Sequence, residues 1–282
     1  MNLSDNFFLE NNPIFSGKIR QVYNYSADLL LIKTSDKISA YDFVFDDEIT
    51  GKGQLLTKIS KFWFLKTANI IENHFISDKE IQNEFPKSHL ACMLVKKCEP
   101  IKIEAIVRGY LCGSAYEEYL KFGTVAGHEL ETGLKKNSKL QYPIFTPSSK
   151  APVGGKDENI SYSDVVSLIG EDKASYIKEK SIQLYEFAHH FALQRGLSLL
   201  DTKFEFGIDL SGKIVLIDEI FTPDCSRYCK TSISDQEYLD KQYFRDYLKE
   251  INWNNEQIKI PDDIKRKILS RYQEVYKLIT NV

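Results

Sequence analysis

Strand-like runs dominate the first third of the chain. Residues 19–25 and 28–35 are two such runs, and Ser26-Ala27 between them predicts a β-hairpin. A helix is predicted over residues 54–72, because its large apolar residues recur at the i, i+3, i+4 and i+7 positions that form one face of a helix. The members of this apolar stripe are Leu55, Leu56, Ile59, Phe62 and Trp63.

Beyond residue 89, strand-like and helix-like segments follow one another. Ser114 stands where a short helix begins, and a serine hydroxyl suits the N-cap position. A longer helix is expected to end at Gly196, which can adopt the left-handed conformation of a C-cap. Gly, Pro, Ser and Thr are dense in residues 123–155, so this stretch is predicted to be a loop. The other expected elements are strands over 90–97 and 101–111, a helix over 171–195, and a hairpin of strands 198–210 and 213–219.

The order of these segments predicts an α+β protein of two domains. Residues 84–88, with Pro86 at the centre, are the best candidate for the boundary. This gives a β-rich N-terminal domain of residues 1–86 and a larger α+β domain of residues 87–282. A cleft between two domains is the default location of a small-molecule site.

The charge balance argues against a dedicated nucleic-acid-binding protein. The 282 residues include 37 Lys and Arg and 40 Asp and Glu, a net charge of -3, whereas such proteins carry a strong basic surplus. A positively charged site must therefore come from a few placed Lys and Arg. Apolar residues make up 43% and charged residues 27%, which is typical of a globular protein and not of a disordered chain.

The cysteines and the amino terminus indicate the compartment. The five cysteines form an odd set, and no basic segment followed by an apolar one opens the chain, so we expect reduced thiols in a cytoplasmic protein. Cys225 and Cys229 are four residues apart, but no second pair or nearby His completes a zinc site. No apolar run approaches the ~18 residues of a membrane span, so no membrane partner is expected.

The second hairpin carries the most informative polar residues. Strand side chains alternate between two faces, so Lys203 and Glu205 share one face. If the turn centres between Leu210 and Ser211, Asp218 lies opposite Lys203 and diagonal to Glu205. Diagonal neighbours are ~7–8 Å apart, close enough for two carboxylates to bind one Mg²⁺ with substrate phosphates. A surface ladder of charges is an equally good interpretation, because a one-residue shift of the turn separates the faces.

Glycine turns and basic residues beside small ones supply candidate phosphate sites. Gly17-Lys18-Ile19-Arg20 leads into a strand and could fold over phosphates, although it matches neither common phosphate-loop pattern. Arg binds phosphate or carboxylate bidentately, and Ser hydroxyls complete such a pocket. Because no Ser–His–Asp or Cys–His arrangement is evident, this inventory favours phosphoryl transfer. The other basic segments of this kind are Arg108 to Ser114, Ser148 to Lys150, and Ser226-Arg227.

A series of motifs runs in order along residues 17–228, and several are long and unusual in composition. In this combination the chain resembles the SAICAR synthetase family, the phosphoribosylaminoimidazole-succinocarboxamide synthases of purine biosynthesis. The matching motifs are GKIRQVY (17–23), SDKISAYD (35–42), GKG (51–53), ISKFWF (59–64), VRGYLCGSAYEEY (107–119), PIFTPSSKA (143–151), DENIS (157–161), DTKFEFGID (201–209) and IDEIFTPDCSRY (217–228).

The resemblance implies both a fold and a reaction. The family fold is α+β and ATP-grasp-like, with the nucleotide in a cleft between the β-rich N-terminal domain and the larger second domain. The family joins L-aspartate to the carboxylate of carboxyaminoimidazole ribotide (CAIR) through an acyl phosphate, giving SAICAR, ADP and phosphate. The implied cofactors are ATP and Mg²⁺, and the implied partners are the small molecules CAIR, L-aspartate and ATP. A homo-oligomer stays open, because the family includes monomers and larger assemblies.

The resemblance also implies roles for single residues. Lys18, Glu205, Asp218 and Arg227 form the expected catalytic set, and Glu205 and Asp218 are the expected Mg²⁺ ligands. The remaining expectations are Gly17, Lys18, Arg20, Glu205 and Asp218 for ATP; Arg108, Ser114 and Arg227 for the ribotide; Lys150, Asp201 and Lys203 for aspartate; and Asp36, Ser39 and Asp42 along the imidazole.

Three positions depart from the family pattern. Lys156 stands where the family often has His before the DEN triplet, Gln21 stands where an acidic residue is frequent, and Cys225 replaces a small residue. None of these changes removes an assigned carboxylate or arginine. Lys156 adds positive charge near the substrate, so its effect on ribotide binding stays open.

Two alternative functions remain open at this point. One is a relative of the same fold that acts on another substrate, and the retained Arg108, Ser114 and Arg227 count against it. The other is a non-catalytic homologue that serves as a binding partner, and the intact Glu205 and Asp218 count against that.

Overall fold

The structure is a computed structural model that describes residues 6–76, 79–82, 89–149, 159–231 and 237–281. Helices and strands alternate along these ranges. The helices are α1 (Asn6–Glu10), α2 (Lys52–Lys66), α3 (Lys79–Gln82), α4 (Ser114–Phe122), α5 (Tyr162–Ile169), α6 (Glu171–Leu193), α7 (Gln242–Glu250) and α8 (Asp262–Thr280). The strands are β1 (Phe15–Ser16), β2 (Arg20–Asn24), β3 (Leu29–Thr34), β4 (Lys37–Ala40), β5 (Phe43–Glu48), β6 (Cys92–Lys96), β7 (Cys98–Pro100), β8 (Ile103–Tyr110), β9 (Thr124–Val125), β10 (His128–Glu129), β11 (Lys139–Phe145), β12 (Ser148–Ser149), β13 (Leu197–Asp209), β14 (Ile214–Ile217) and β15 (Ser226–Lys230).

Two larger antiparallel sheets organise the molecule. The N-terminal sheet has the order β1-β2-β3-β6, and the larger sheet has the order β11-β8-β13-β14, with β12 paired to β8 and both β7 and β15 paired to β13. The thirteen-residue β13 lies at the centre of the larger sheet. Helix α6 packs against β13 and β8, while α2 contacts both β3 and α8. The fold is therefore α+β, as predicted.

Residues 72–76 join the two sheets through backbone hydrogen bonds. The His74 N–H donates to the Leu216 carbonyl (3.0 Å), and the Lys96 N–H donates to the His74 carbonyl (2.8 Å). Leu216 belongs to β14 and Lys96 to β6, so one segment bonds to a strand of each sheet. The division at residue 86 stays a prediction, and β6, which follows it, belongs to the N-terminal sheet.

Helix α2 differs from the predicted helix at both ends. It starts two residues early, because the Asp36 carboxylate accepts hydrogen bonds from the N–H groups of Gly51 (3.0 Å) and Gly53 (2.8 Å) and so fixes its first turn. It ends at Lys66 and not at residue 72, because the Thr67 hydroxyl (2.7 Å) and N–H (2.9 Å) both bind the Trp63 carbonyl. The predicted stripe is buried apart from Phe62, which is partly buried.

The stretch predicted to be a loop holds four strands, so that prediction is wrong for residues 124–129 and 139–149, whereas residues 130–138 are turns and irregular chain as predicted. Strands β9 and β10 pair with each other, and β11 and β12 extend the larger sheet from β8. Leu140 and Phe145 are buried and supply the apolar anchors of this region. The glycines that suggested a loop occupy its turns, since Gly127 and Gly133 both have φ of 82°. Residues 150–155 lie outside the described residues.

Three helix ends show how capping residues act, and two of them were predicted. Ser161 and Asp164 form a reciprocal capping box at the start of α5. Gly196 has φ of 76°, which confirms the left-handed stop after α6. The N-cap prediction for Ser114 is wrong by one residue: Gly113 holds the cap position, and Ser114 is the first residue of α4. Its hydroxyl is thereby free of a capping role.

No helix in the described ranges is long and apolar enough to cross a membrane.

Candidate active site

A row of three charged side chains crosses the middle of the larger sheet. Asp201 in β13 pairs with Arg108 in β8 on one side and with Arg227 in β15 on the other. One Asp201 oxygen accepts hydrogen bonds from Arg108 Nη1 (2.7 Å) and Arg227 Nη1 (2.5 Å). Burial raises the pKa of Asp201, but the two guanidiniums outweigh it and hold the pKa below its ordinary value. The ionised Asp201 therefore fixes both arginines side by side.

Two hydroxyl groups complete the surroundings of Arg108. Its Nε donates to the Thr146 hydroxyl (2.9 Å), and its Nη2 lies 3.4 Å from the Ser114 hydroxyl. Arg108 is only 4% exposed, so its orientation is set by these three partners. Ser114 thus brings the start of α4 to the arginine row.

A second cluster of charges lies two residues further along β13. The Lys203 ammonium contacts Glu104 of β8 (2.7 Å) and Glu205 of β13 (2.9 Å). Burial would lower the pKa of Lys203, but Glu205 and Glu104 raise it well above the ordinary value. The ammonium is therefore protonated, which makes Lys203 a permanent cation and unsuitable as a base.

Asp218 and Glu219 reach this cluster from the end of β14. Arg20 from the N-terminal sheet donates to Glu219 (2.8 Å) and lies 3.7 Å from Asp218. Burial raises the pKa of Asp218 to about 6, with Arg20 opposing and the Glu205 and Glu219 carboxylates adding to the rise. Asp218 and Glu205 therefore belong to one cluster of charges, together with Lys203, Arg20 and Glu219.

The predicted register of this hairpin is wrong by one residue. Glu205 pairs with Ile217, which puts Phe204 and not Lys203 level with Asp218. Regular strand geometry would then turn Asp218 away from Glu205. The strand ends at Ile217, however, and Asp218 has φ of 63°. This left-handed residue breaks the alternation of faces, so its carboxylate still acts on Glu205.

The N-terminal candidates lie in the turn between β1 and β2 and in the β4–β5 hairpin. The Gly17 N–H donates to the Arg20 carbonyl (2.8 Å), which closes the turn between β1 and β2. Lys18 forms an exposed ion pair with Asp42, so this turn and the β4–β5 hairpin are in contact. Ser39 is buried in β4. Lys150 and Lys156 lie outside the described residues.

A cavity of about 60 Å³ opens beside the arginine row. Three cations, Arg227, Lys241 and Arg245, and three carboxylates, Asp201, Asp224 and Asp240, line it. Two further cations pair with these carboxylates from outside the lining, Arg108 with Asp201 and Lys52 with Asp224. The surroundings of the cavity therefore carry more positive than negative groups, which suits an anion.

Comparison with known proteins identifies the family. The family model described as SAICAR synthetase matches residues 13–260. The chain belongs to the SAICAR synthetase family. A phosphoribosylaminoimidazole-succinocarboxamide synthase of Haemophilus influenzae is 44% identical to it, over 96% of this chain and 97% of that protein. The motif-based assignment to this family of ligases of purine biosynthesis is thereby confirmed.

Solved structures agree with the family assignment. The SAICAR synthase of Saccharomyces cerevisiae, solved in complex with SAICAR, has a TM-score of 0.87 and 37% identity, covering 96% of this chain and 95% of its own. A SAICAR synthetase solved in complex with ADP has a TM-score of 0.74 and 25% identity, covering 95% and 97%. The predicted fold class is confirmed by these likenesses.

Several charged residues of this SAICAR synthetase fold escaped the sequence analysis. Glu104 has the same strand parity as Arg108, and Glu219 follows Asp218 directly, so both carried a local signal. Lys52 and Asp224 lie within the family motifs at 51–53 and 217–228, but neither received a role. Lys241 and Arg245 lie outside those motifs, and no local pattern marks them.

Gly113 is a glycine of the site that combines a left-handed backbone with close packing. It has φ of 57°, and an added Cβ would lie 2.4 Å from Arg227 Nη2. Gly123, at the other end of α4, has φ of 71° but nothing within 4 Å. We expect Gly123→Ala to lower the free energy of unfolding by about 1 kcal/mol from backbone strain, and Gly113→Ala by about 2 kcal/mol or more, because Arg227 must also move. Urea denaturation measures both, and equal losses would contradict the packing role.

Proposed function

We propose that the chain catalyses the ATP-dependent joining of L-aspartate to the carboxylate of CAIR, giving SAICAR, ADP and phosphate. The observation that carries the proposal is the arrangement along β13. Asp201 organises an arginine row that suits a ribotide phosphate, and Glu205, four residues on, belongs to a cluster that suits Mg²⁺-ATP. Four strand residues span about 13 Å, a separation comparable to the length of a ribose phosphate carrying a heterocycle.

The proposed reaction has two steps whose atoms balance. A carboxylate oxygen of CAIR attacks the γ-phosphorus of ATP, ADP leaves, and an acyl phosphate forms. The aspartate amine then attacks the acyl carbon, phosphate leaves with the bonding electrons, and the amine nitrogen loses a proton. Phosphoryl transfer depends mainly on positioning and on neutralising charge. Lys18, Arg20 and Lys203 carry the charge that such positioning needs.

Glu205 and Asp218 fit the Mg²⁺ that accompanies ATP. Mg²⁺ is typically held by one or two carboxylates together with substrate phosphates, and burial, together with the neighbouring Glu205 and Glu219 carboxylates, raises the pKa of Asp218. Among the described residues, no group of three or more His, Cys, Asp or Glu is arranged to hold a metal ion. The pair alone is therefore assigned, and the ion would supply neutralisation of phosphate charge.

The other residues receive roles from their neighbourhoods. The turn around Gly17 and Lys18 would cover the ATP phosphates, and Arg20 would hold it near the carboxylates through Glu219. Arg227, Lys241 and Arg245 would bind the ribotide phosphate in the cavity beside the arginine row. The remaining proposed contacts are Arg108 and Ser114 for the ribotide, Asp36, Ser39 and Asp42 along the imidazole, and Lys203 at the aspartate end. Asp201 orients the two arginines, and Lys150, outside the described residues, keeps the aspartate role that the motifs imply.

Release of ADP by the purified protein tests the proposed function. The reaction contains Mg-ATP, CAIR and L-aspartate, and each is omitted in turn. We expect ADP release to require all three and the succinocarboxamide product to appear. ADP release that ignores aspartate would indicate a relative that only phosphorylates its substrate. No release under any combination would favour the non-catalytic alternative.

A further inference from the structure

Four buried polar side chains from distant parts of the chain meet at the wall of the anion cavity. Lys52, the first residue of α2, is 0% exposed, and its ammonium donates to Asp224 Oδ2 (2.8 Å) and to the Lys37 carbonyl (3.2 Å). The Tyr272 hydroxyl of α8 donates to the other Asp224 oxygen (2.6 Å). Lys241 Nζ lies 3.2 Å from Asp224 Oδ2. We call Lys52, Asp224, Tyr272 and Lys241 the buried lysine cluster.

Two ammonium groups in this cluster share a single carboxylate oxygen. An ammonium removed from water is costly unless a counter-ion compensates it. Asp224 cannot fully compensate two of them, because each approaches the same oxygen. Lys241 forms the weaker of the two ion pairs, because its Nζ lies 3.2 Å from Asp224 Oδ2 and the Nζ of Lys52 lies 2.8 Å from the same oxygen.

Lys241 is also the lysine of the cluster that meets the cavity. Lys241 and Asp224 line the cavity of about 60 Å³, whereas Lys52 and Tyr272 stand behind them. The same cavity holds Arg227 and Arg245. A change in the charge of Lys241 therefore changes the potential that an anion in this cavity experiences.

The groups around Lys241 shift its pKa into a pH range in which the folded protein can be titrated. Burial lowers the pKa of Lys241 to about 8, Asp224 opposes this, and Lys52 and Arg245 lower it further, while Glu219 raises it slightly. Tyr272 acts on it through Asp224. The other charged residues lining the same cavity are Asp201, Arg227 and Asp240.

We infer that the Lys52–Asp224 ion pair is a positioning device that sets the charge of Lys241 at the wall of the anion cavity, so that ribotide binding weakens as the pH rises into the alkaline range. The inference rests on the proposed function in one respect, the identity of the anion as the ribotide phosphate. Lys52 lies outside the cavity lining and acts on the anion through Asp224 and Lys241, whereas Asp224 and Lys241 both line the cavity. The charge of the cavity is thus controlled from α2 and α8.

Removing Lys52 and removing Asp224 should shift the pKa of Lys241 in opposite directions. Lys52→Met keeps the shape of the side chain but removes the competing ammonium, so Asp224 serves Lys241 alone and the pKa of Lys241 rises. Asp224→Asn removes the counter-ion, so the pKa of Lys241 falls. Damage to packing alone would not shift the pKa of Lys241 in opposite directions in the two variants.

Two measurements on the full-length protein test the inference. The first follows the Lys241 Cε resonance of ¹³C-lysine-labelled protein by NMR between about pH 6.5 and pH 9.5, with the signal assigned by its loss in Lys241→Arg. The second measures the Kd of CAIR by isothermal titration over the same range. We expect the wild-type Kd to rise about tenfold as Lys241 loses its proton. The titration should move up by about one pH unit in Lys52→Met and down in Asp224→Asn.

Lys58→Met is the matched control, since Lys58 is an exposed lysine of the same helix. In this variant Lys241 should titrate, and CAIR should bind, as in the wild type.

Should Asp224→Asn fail to fold, Tyr272→Phe takes its place. This variant removes a hydrogen bond from Asp224, so that Asp224 attracts the Lys241 ammonium more strongly. The pKa of Lys241 should then rise, as it does in Lys52→Met.

The inference is overturned if Lys241 titrates at the same pH in the wild type and in Lys52→Met, or if Lys52→Met and Asp224→Asn move it in the same direction. It is also overturned if Lys241 titrates as expected but the Kd of CAIR does not follow. Failure of the proposed function is a separate result: the wild type would then not bind CAIR at any pH, and inorganic phosphate would replace CAIR as the probe of the cavity.

Discussion

Replacing Glu205 with glutamine is expected to lower turnover by about three orders of magnitude. The amide keeps the size of the side chain but removes its charge. Glu205 is 8% exposed and contacts Lys203 at 2.9 Å, so the change removes an anion from a region where water cannot replace it. A Mg²⁺ on ATP would lose one of its two proposed carboxylates, while Lys203 would keep Glu104 as its partner.

The loss should be confined to steps that involve ATP. ADP release in the presence of all three substrates measures turnover, and isothermal titration measures CAIR binding, which should change little. Glu99→Gln is the matched control, because Glu99 is an exposed glutamate of β7 in the same sheet. Undiminished turnover in Glu205→Gln would contradict the assignment and favour a binding protein without catalytic activity.

The chemistry of β13 could be predicted because it depends on a local rule. Side chains two residues apart on a strand share a face, so Lys203 and Glu205 could be placed together from the sequence. Their observed ion pair follows this rule. The family motifs, which are also local, carried the assignment to a family and hence to a fold.

The register of the same hairpin could not be predicted, because the length of its turn depends on hydrogen bonds of the Asp209 side chain that no sequence pattern indicates. The Asp209 carboxylate accepts hydrogen bonds from the N–H groups of Ser211 (2.9 Å) and Lys213 (3.0 Å). Gly212 then takes φ of 85°, which is typical of a three-residue turn and not of a two-residue one. The one-residue slip would have separated Asp218 from Glu205, had Asp218 not adopted a left-handed conformation.

The buried lysine cluster shows a different kind of limit. Lys52 and Asp224 are 172 residues apart in sequence, and their contact depends on how α2 packs on the larger sheet and on α8. From the sequence alone, Lys52 was one residue of a glycine turn. The arginine row has the same origin: β8, β13 and β15 are neighbours in the sheet but not in the sequence, so Arg108, Asp201 and Arg227 could be named as candidates but not placed side by side.

Replacing Arg227 with alanine is expected to raise the Kd of the ribotide about a hundredfold, with little effect on Mg-ATP binding. Arg227 packs against Gly113, contacts Asp201 at 2.5 Å and lines the anion cavity. The substitution therefore removes a guanidinium, a charged bidentate hydrogen-bond donor, from the proposed binding site of the ribotide phosphate. Asp201 keeps Arg108 as a partner at 2.7 Å, so the buried carboxylate stays compensated and the protein should still fold.

Isothermal titration of CAIR and of Mg-ATP on the same variants separates the two halves of the site. Arg227→Lys should restore part of the ribotide affinity, because it returns the charge without the planar fork of donors, and Arg266→Ala, at an exposed arginine of α8, should match the wild type. Asp218→Asn should show the reverse pattern, weakening Mg-ATP far more than CAIR. Equal losses of both ligands in Arg227→Ala and Asp218→Asn would contradict the division of β13 into a phosphate end and a metal end, because a general loosening of the sheet does not discriminate between the two ligands.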